Sequence, residues 1–106
     1  MPKLAIWVQL EAKPGKEREV EEFLKIGATL AEKEPQTHTW YGVKLGPSSF
    51  GVFDTFADEA GRNAHLSGEI AKALMAKADE LFAKPPAIHK IEVLAAKKVA
   101  AAKSAS

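Results

Sequence analysis

His65, Asp54 and Arg62 are the residues of this chain whose types and spacing can do chemistry. All three fall in the stretch Phe50-Gly-Val-Phe-Asp54-Thr-Phe56-Ala-Asp58-Glu-Ala-Gly-Arg62-Asn-Ala-His65-Leu-Ser-Gly68. An imidazole titrates near neutral pH, which suits His65 to acid/base work. Asp54 interrupts an apolar run, and a buried carboxylate without a partner is costly. It lies eleven residues before His65, and a strand that turns into a helix folding back can bring the two together. That would be a carboxylate-oriented histidine. Asp54 can equally pair with Arg62 or a lysine, or cap nearby backbone, with His65 packing structurally. Trp7, Trp40, Tyr41 and Phe53 could line a substrate pocket for a planar molecule. Packing between two copies of the chain would account for such aromatics as well.

Other chemistries find less support. There is no cysteine, so disulfides, thiolate catalysis and zinc-thiolate sites are excluded. His38, His65 and His89 show no local ligand spacing, and no metal site is expected. Gly46, Gly51, Gly61 and Gly68 form no phosphate-cradling loop. The serines at 48, 49 and 67 sit in no nucleophile elbow. Fifteen basic and 14 acidic residues leave a net charge of +1, distributed rather than clustered, which argues against nucleic-acid binding. No apolar run approaches the roughly 20 residues that span a bilayer. Met1-Pro2-Lys3 leads into a strand with no secretory h-region, so a cytoplasmic location is expected.

The elements that must position these side chains follow from periodicity. From Leu4 to Ala12, Leu4, Ile6, Val8 and Leu10 alternate with Ala5, Trp7 and Gln9, a strand pattern. Lys13-Pro14-Gly15-Lys16 is a turn. Val20, Phe23, Leu24, Gly27, Leu30 and Ala31 form a helical stripe that ends before Pro35. Thr37–Leu45 and Phe50–Phe56 read as strands joined by Gly46-Pro47-Ser48-Ser49, a hairpin. Asp58 is placed to cap a short helix through Leu66. Ser67-Gly68 breaks it, and a longer helix carrying Ile70, Leu74, Ala78, Leu81 and Phe82 runs to Pro85-Pro86. A fourth strand spans Ala87 to about Ala95.

The order βαββαβ predicts an α+β, ferredoxin-like domain over residues 1–96, with an antiparallel four-stranded sheet and helices on one face. Residues 97–106 form an Ala/Lys-rich tail. Helices on one face leave the other uncovered, yet both parities of the strands carry apolar residues. Trp7 stands opposite the Leu4, Ile6, Val8 and Leu10 set, Phe53 opposite Phe50, Val52 and Phe56, and Trp40 opposite Tyr41, Val43 and Leu45. One exposed face would therefore carry an apolar patch of the kind that marks an interface. A homodimer through the open sheet face is the simplest cover.

The run Trp40-Tyr41-Gly-Val-Lys-Leu-Gly-Pro-Ser-Ser-Phe-Gly-Val-Phe-Asp54-Thr-Phe56, followed by Asp58-Glu-Ala-Gly-Arg62-Asn-Ala-His65-Leu, resembles the antibiotic biosynthesis monooxygenase-like family. Its most characteristic feature is the Ala-His-Leu triplet on the helix after an aromatic strand. The likeness extends from Leu4 to Ala95. It implies a dimeric α+β barrel in which each protomer keeps a pocket between sheet and helices. It also implies, for some members, cofactor-independent oxygenation of aromatic substrates, and it singles out His65. Two positions depart from the pattern. Ile70 stands where a second histidine is frequent, with Glu69 in place of the usual proline. Leu74-Met75 stands where haem-degrading relatives place an iron ligand, so haem degradation is not expected.

The functional expectation is a monooxygenase-like protein, without a bound cofactor, acting on a small aromatic or apolar metabolite. The alternative is a non-enzymatic ligand-binding or stress-related dimeric barrel, with His65 and the aromatics serving packing.

Overall fold

A computed structural model describes residues 3–97. Its elements are β1 (Leu4–Glu11), α1 (Glu17–Ala31), β2 (Thr37–Lys44), β3 (Ser49–Phe56), α2 (Glu59–Leu66), α3 (Glu69–Leu81) and β4 (Ala87–Glu92). The strands form one antiparallel sheet in the order β2-β3-β1-β4, the ferredoxin-like arrangement expected from the element order. β4 stops at Glu92, short of the expected Ala95, because its partner β1 begins at Leu4, opposite Glu92. Apart from Lys97, the tail expected at 97–106 lies outside the described residues.

Strand register sorts the side chains into two faces. Ile6, Val8 and Leu10 stand opposite Asp54, Val52 and Phe50, and this face packs under the helices. Val20 and Leu24 of α1 and Leu74 and Leu81 of α3 close the core from above. Phe50 and Phe56 are fully buried in it. Each contributes about 1.5–3 kcal/mol by leaving water. α3 is tied to the end of β1 by Lys13 N–H donating to Leu81 O and Ala83 N–H donating to Glu11 O, both at 2.8 Å.

The other face carries no helix. Tyr41, Phe53, Trp7 and His89 lie in one cross-strand row, each opposite the next in register. Tyr41 is 56% exposed, and Val43 and Ile91 are also exposed. The Trp7 indole lies flat over Gly51, where a Cβ would stand only 2.3 Å from its ring. A glycine is required there for the ring to lie down. Among the described residues no helix is long and apolar enough to cross a membrane.

Candidate functional site: a histidine between two carboxylates

Asp54 sits near the middle of the helix-facing side of β3, opposite Ile6 on β1 and Trp40 on β2. Its side chain is 1% exposed. α2 delivers the partner. Asp58, in extended conformation, accepts a 2.9 Å hydrogen bond from Gly61 N–H and so starts the helix at Glu59. Two turns later His65 projects back over β3, its ring 5.3 Å from that of Phe56. His65 Nε2 lies 2.8 Å from Asp54 Oδ2. The contact is close but not aligned as a hydrogen bond, and neither Asp54 oxygen has a hydrogen-bond partner among the described residues.

A third member comes from the connection after α1. Glu34 Oε1 lies 2.6 Å from His65 Nδ1 and accepts a 2.7 Å hydrogen bond from the Thr37 hydroxyl. Both nitrogens of His65 are therefore engaged by carboxylates. Burial, the largest influence, disfavours the charged imidazole. The close contacts with Asp54 and Glu34 and the negative charges of both carboxylates together outweigh it, and the His65 pKa is raised above the ordinary histidine value.

His65 forms a wall between two voids. On the inside, Trp40, Asp54 and His65 line a cavity of about 50 Å³ between sheet and helices, otherwise walled by apolar side chains that include Ile70 and Leu74. On the outside, Glu34 and His65 border a cleft of about 370 Å³ running past Leu30, Gly61 and Gly68. Ile70 and Leu74 thus give the inner cavity an apolar wall, while Met75 points outward and is exposed.

Of the residues named from the sequence, Asp54 and His65 meet. The competing partner for Asp54 is occupied elsewhere: Arg62 Nη1 donates to Ala5 O at 3.4 Å and to Ile91 O at 3.3 Å. The four aromatics do not share a pocket. Trp40 lies on the helix-facing side, where its ring reaches to within 3.0 Å of where a Cβ on Gly27 would be, and borders the inner cavity. Trp7, Tyr41 and Phe53 lie on the open face. His38 lies on β2 and His89 on β4, whereas His65 lies on α2. Among the described residues no group of three or more His, Asp or Glu is arranged to hold a metal. Glu34 had no sequence signal: it sits in an ordinary Glu/Lys run before Pro35.

No family model and no curated protein matches the chain. Solved structures do. The NE2512 protein of unknown function from Nitrosomonas europaea is 57% identical, with a TM-score of 0.91 over 94% of this chain and 97% of that one. A protein from the same organism named "putative antibiotic biosynthesis monooxygenase" superposes with a TM-score of 0.78 at 14% identity, over 87% of this chain and 99% of its own. Rv0793 from Mycobacterium tuberculosis does so with 0.81 at 13% identity, over 91% and 99%. The chain therefore belongs to the family of the NE2512 protein, one built on the fold of the antibiotic biosynthesis monooxygenase-like proteins.

Proposed function

We propose that this chain is a cofactor-independent monooxygenase-like enzyme acting on a small aromatic or apolar metabolite with an acidic hydrogen. The observation that carries this reading is the Asp54–His65–Glu34 trio, with Asp54 and His65 buried in the wall of a largely apolar cavity. With His65 protonated, the trio carries one net negative charge and has room for one proton. Asp54 lines the cavity, and in this reading its carboxylate takes the substrate proton. His65, held by Glu34, then faces the resulting anion as an imidazolium and stabilises it electrostatically. The substrate anion gives electrons to O₂. For an activated CH₂, the product is C=O, the second oxygen atom leaves as water, and the substrate supplies all four electrons. The protein lends and returns the proton, excludes water and fixes orientation. At about 50 Å³ the inner cavity is well below the roughly 300 Å³ usual for a small-molecule pocket. Binding of a ring therefore requires neighbouring side chains to yield.

The working unit in this reading is a homodimer packed through the open sheet face. The Tyr41-Phe53-Trp7 row supports it, as an apolar surface that water alone would otherwise cover. Light scattering at micromolar concentration is expected to give twice 11.4 kDa, and a stable monomer would overturn it.

Oxygen uptake with hydroquinone- and anthrone-like substrates tests the chemistry, comparing the native chain with Asp54→Asn and His65→Ala. Uptake that both substitutions abolish is the expected result. If no such compound is oxidised while ligands still bind, the chain is instead a ligand-binding dimeric barrel.

A further inference from the structure

The outer cleft, at about 370 Å³, has the size usual for a small-molecule pocket, and it lies across His65 from the inner cavity. Ala64, His65 and Gly68 border it where α2 gives way to α3. Three oxygens converge on Gly68. A Cβ there would stand 3.1 Å from Glu34 Oε2 and 3.3 Å from each of the carbonyl oxygens of Ala64 and His65. Glycine keeps that space free, and it is open to solvent: Ala64 is exposed, and Gly68 and Glu34 are half-buried. Each oxygen has accepting capacity to spare. Glu34 meets Thr37 and His65 through Oε1 rather than Oε2. Ala64 O accepts from the Ser67 hydroxyl at 3.3 Å and His65 O from Gly68 N–H at 3.0 Å, and a carbonyl oxygen has two lone pairs. The end of a helix adds the negative pole of its dipole.

The charged groups around the cleft are Lys33 and Glu34 after α1, His65 on α2 with Asp54 of β3 behind it, Asp58 beside Gly61, and Glu69 at the start of α3. Lys33 and Glu69 are both exposed and offset each other. Glu34 and Asp54 then leave the site negative whether or not His65 carries a proton.

We infer that this cleft binds the ammonium group of a small primary amine with an apolar body. Such a group has three N–H donors for the three convergent acceptors. A quaternary ammonium has no N–H to give, and a carboxylate is repelled. Leu30 and Pro35 offer the apolar body a wall. The amine and His65 share the Glu34 carboxylate, one on each oxygen, so their positive charges oppose each other. A bound amine makes His65 harder to protonate, and by linkage the amine binds more tightly once His65 has lost its proton. The site stands apart from the oxygenase reading, since it lies outside the inner cavity and needs no turnover.

The full chain is titrated with n-hexylamine while the His65 ring resonances are followed by NMR, assigned through His38→Asn and His89→Asn variants. Hexanol, hexyltrimethylammonium and hexanoate are titrated in parallel. The expected result is a saturable His65 shift with hexylamine, at least tenfold weaker binding of the other three, and a His65 titration moved to lower pH by the amine. Affinity should rise from about pH 6 to about pH 8, where an alkylamine with a pKa of roughly 10.4 keeps its proton. Gly68→Ala sets a methyl group among the three oxygens, and Glu34→Gln removes the charge. Each should weaken hexylamine about tenfold or more. Gly68 has φ −88°, which alanine adopts freely, and Glu34→Gln carries the test should the alanine variant fail to fold. No saturable shift with hexylamine, or equal binding of hexanol or hexyltrimethylammonium, overturns the site. So does amine binding that both substitutions leave unchanged, which would place the amine elsewhere on the surface. Tighter binding of hexanoate would show that Lys33 and His65 set the charge of the cleft, and also overturns it. Amine binding in a chain that consumes no oxygen would uphold the site and sink the oxygenase reading, and oxygen uptake without amine binding would do the reverse.

Discussion

His65 Nδ1 and Glu34 Oε1 stand 2.6 Å apart, although 31 residues separate them in the chain. The contact fastens α2 to the loop after α1, and Thr37 holds Glu34 in place for it. It is one of the interactions that raise the His65 pKa, so stability depends on pH with a definite sign. A raised folded-state pKa gives stabilisation that is fully present below the ordinary histidine value of about 6.5. It fades as pH rises through the folded value. Glu34→Gln keeps the shape but removes the charge. The His65 titration followed by NMR should then move down, and the loss of urea midpoint between pH 6 and pH 9 should shrink. An unchanged His65 titration would show that Glu34 contributes geometry only.

The asymmetry between what the sequence discloses and what it hides is visible in this trio. Asp54 and His65 were legible because one breaks an apolar strand and the other closes the following helix, and a strand-turn-helix hairpin fixes where they meet. Glu34 was not, because its role depends on how the loop after α1 packs against α2, and no local pattern encodes that. The aromatics divide in the same way. Strand parity correctly separates Trp40 from Tyr41, but grouping Trp40 with Trp7, Tyr41 and Phe53 in one pocket ignores that separation. Trp40 faces the helices and the other three face away. The fold itself was legible almost throughout, since each strand and helix carries its own period.

Asp58 positions the site from a distance. Its carboxylate accepts from Gly61 N–H at 2.9 Å and sets the first turn of the short helix that carries His65. Asp58→Ala should cost about 1 kcal/mol, read from urea unfolding. Asp58→Asn, which caps comparably, should cost little. With so few turns to share the loss, fraying should reach His65. Hydrogen exchange across 59–66 should rise in the alanine variant alone, and equal exchange in both variants would contradict the capping account.

Gly51 is the floor under Trp7. A Cβ there would meet the indole at 2.3 and 2.8 Å, so Gly51→Ala must lift the ring off the sheet. Overpacking of this kind costs about 1–3 kcal/mol. On a free face the ring can swing toward solvent. Against a second copy it cannot. In the homodimer proposed above, Gly51→Ala should therefore weaken self-association more than it lowers the unfolding midpoint, as measured by light scattering against urea titration. Adding Trp7→Leu to Gly51→Ala should recover much of the midpoint. Failure to do so would place the strain in the backbone instead.

Arg62 spends a buried charge on two long hydrogen bonds, to Ala5 O at 3.4 Å and Ile91 O at 3.3 Å, with Nε unpartnered among the described residues. Such bonds return little against the cost of desolvating a guanidinium, whereas its three-carbon stem packs between α2 and the sheet. Stem and charge can be separated by two substitutions. Arg62→Met keeps the stem and should change stability by no more than about 1 kcal/mol in either direction. Arg62→Ala removes both and should cost about 2 kcal/mol more than Arg62→Met, at roughly 0.8 kcal/mol per buried methylene. Urea midpoints of the two variants decide the matter. Equal losses would mean that the hydrogen bonds joining α2 to β1 and β4, rather than the packing of the stem, hold this corner of the molecule together.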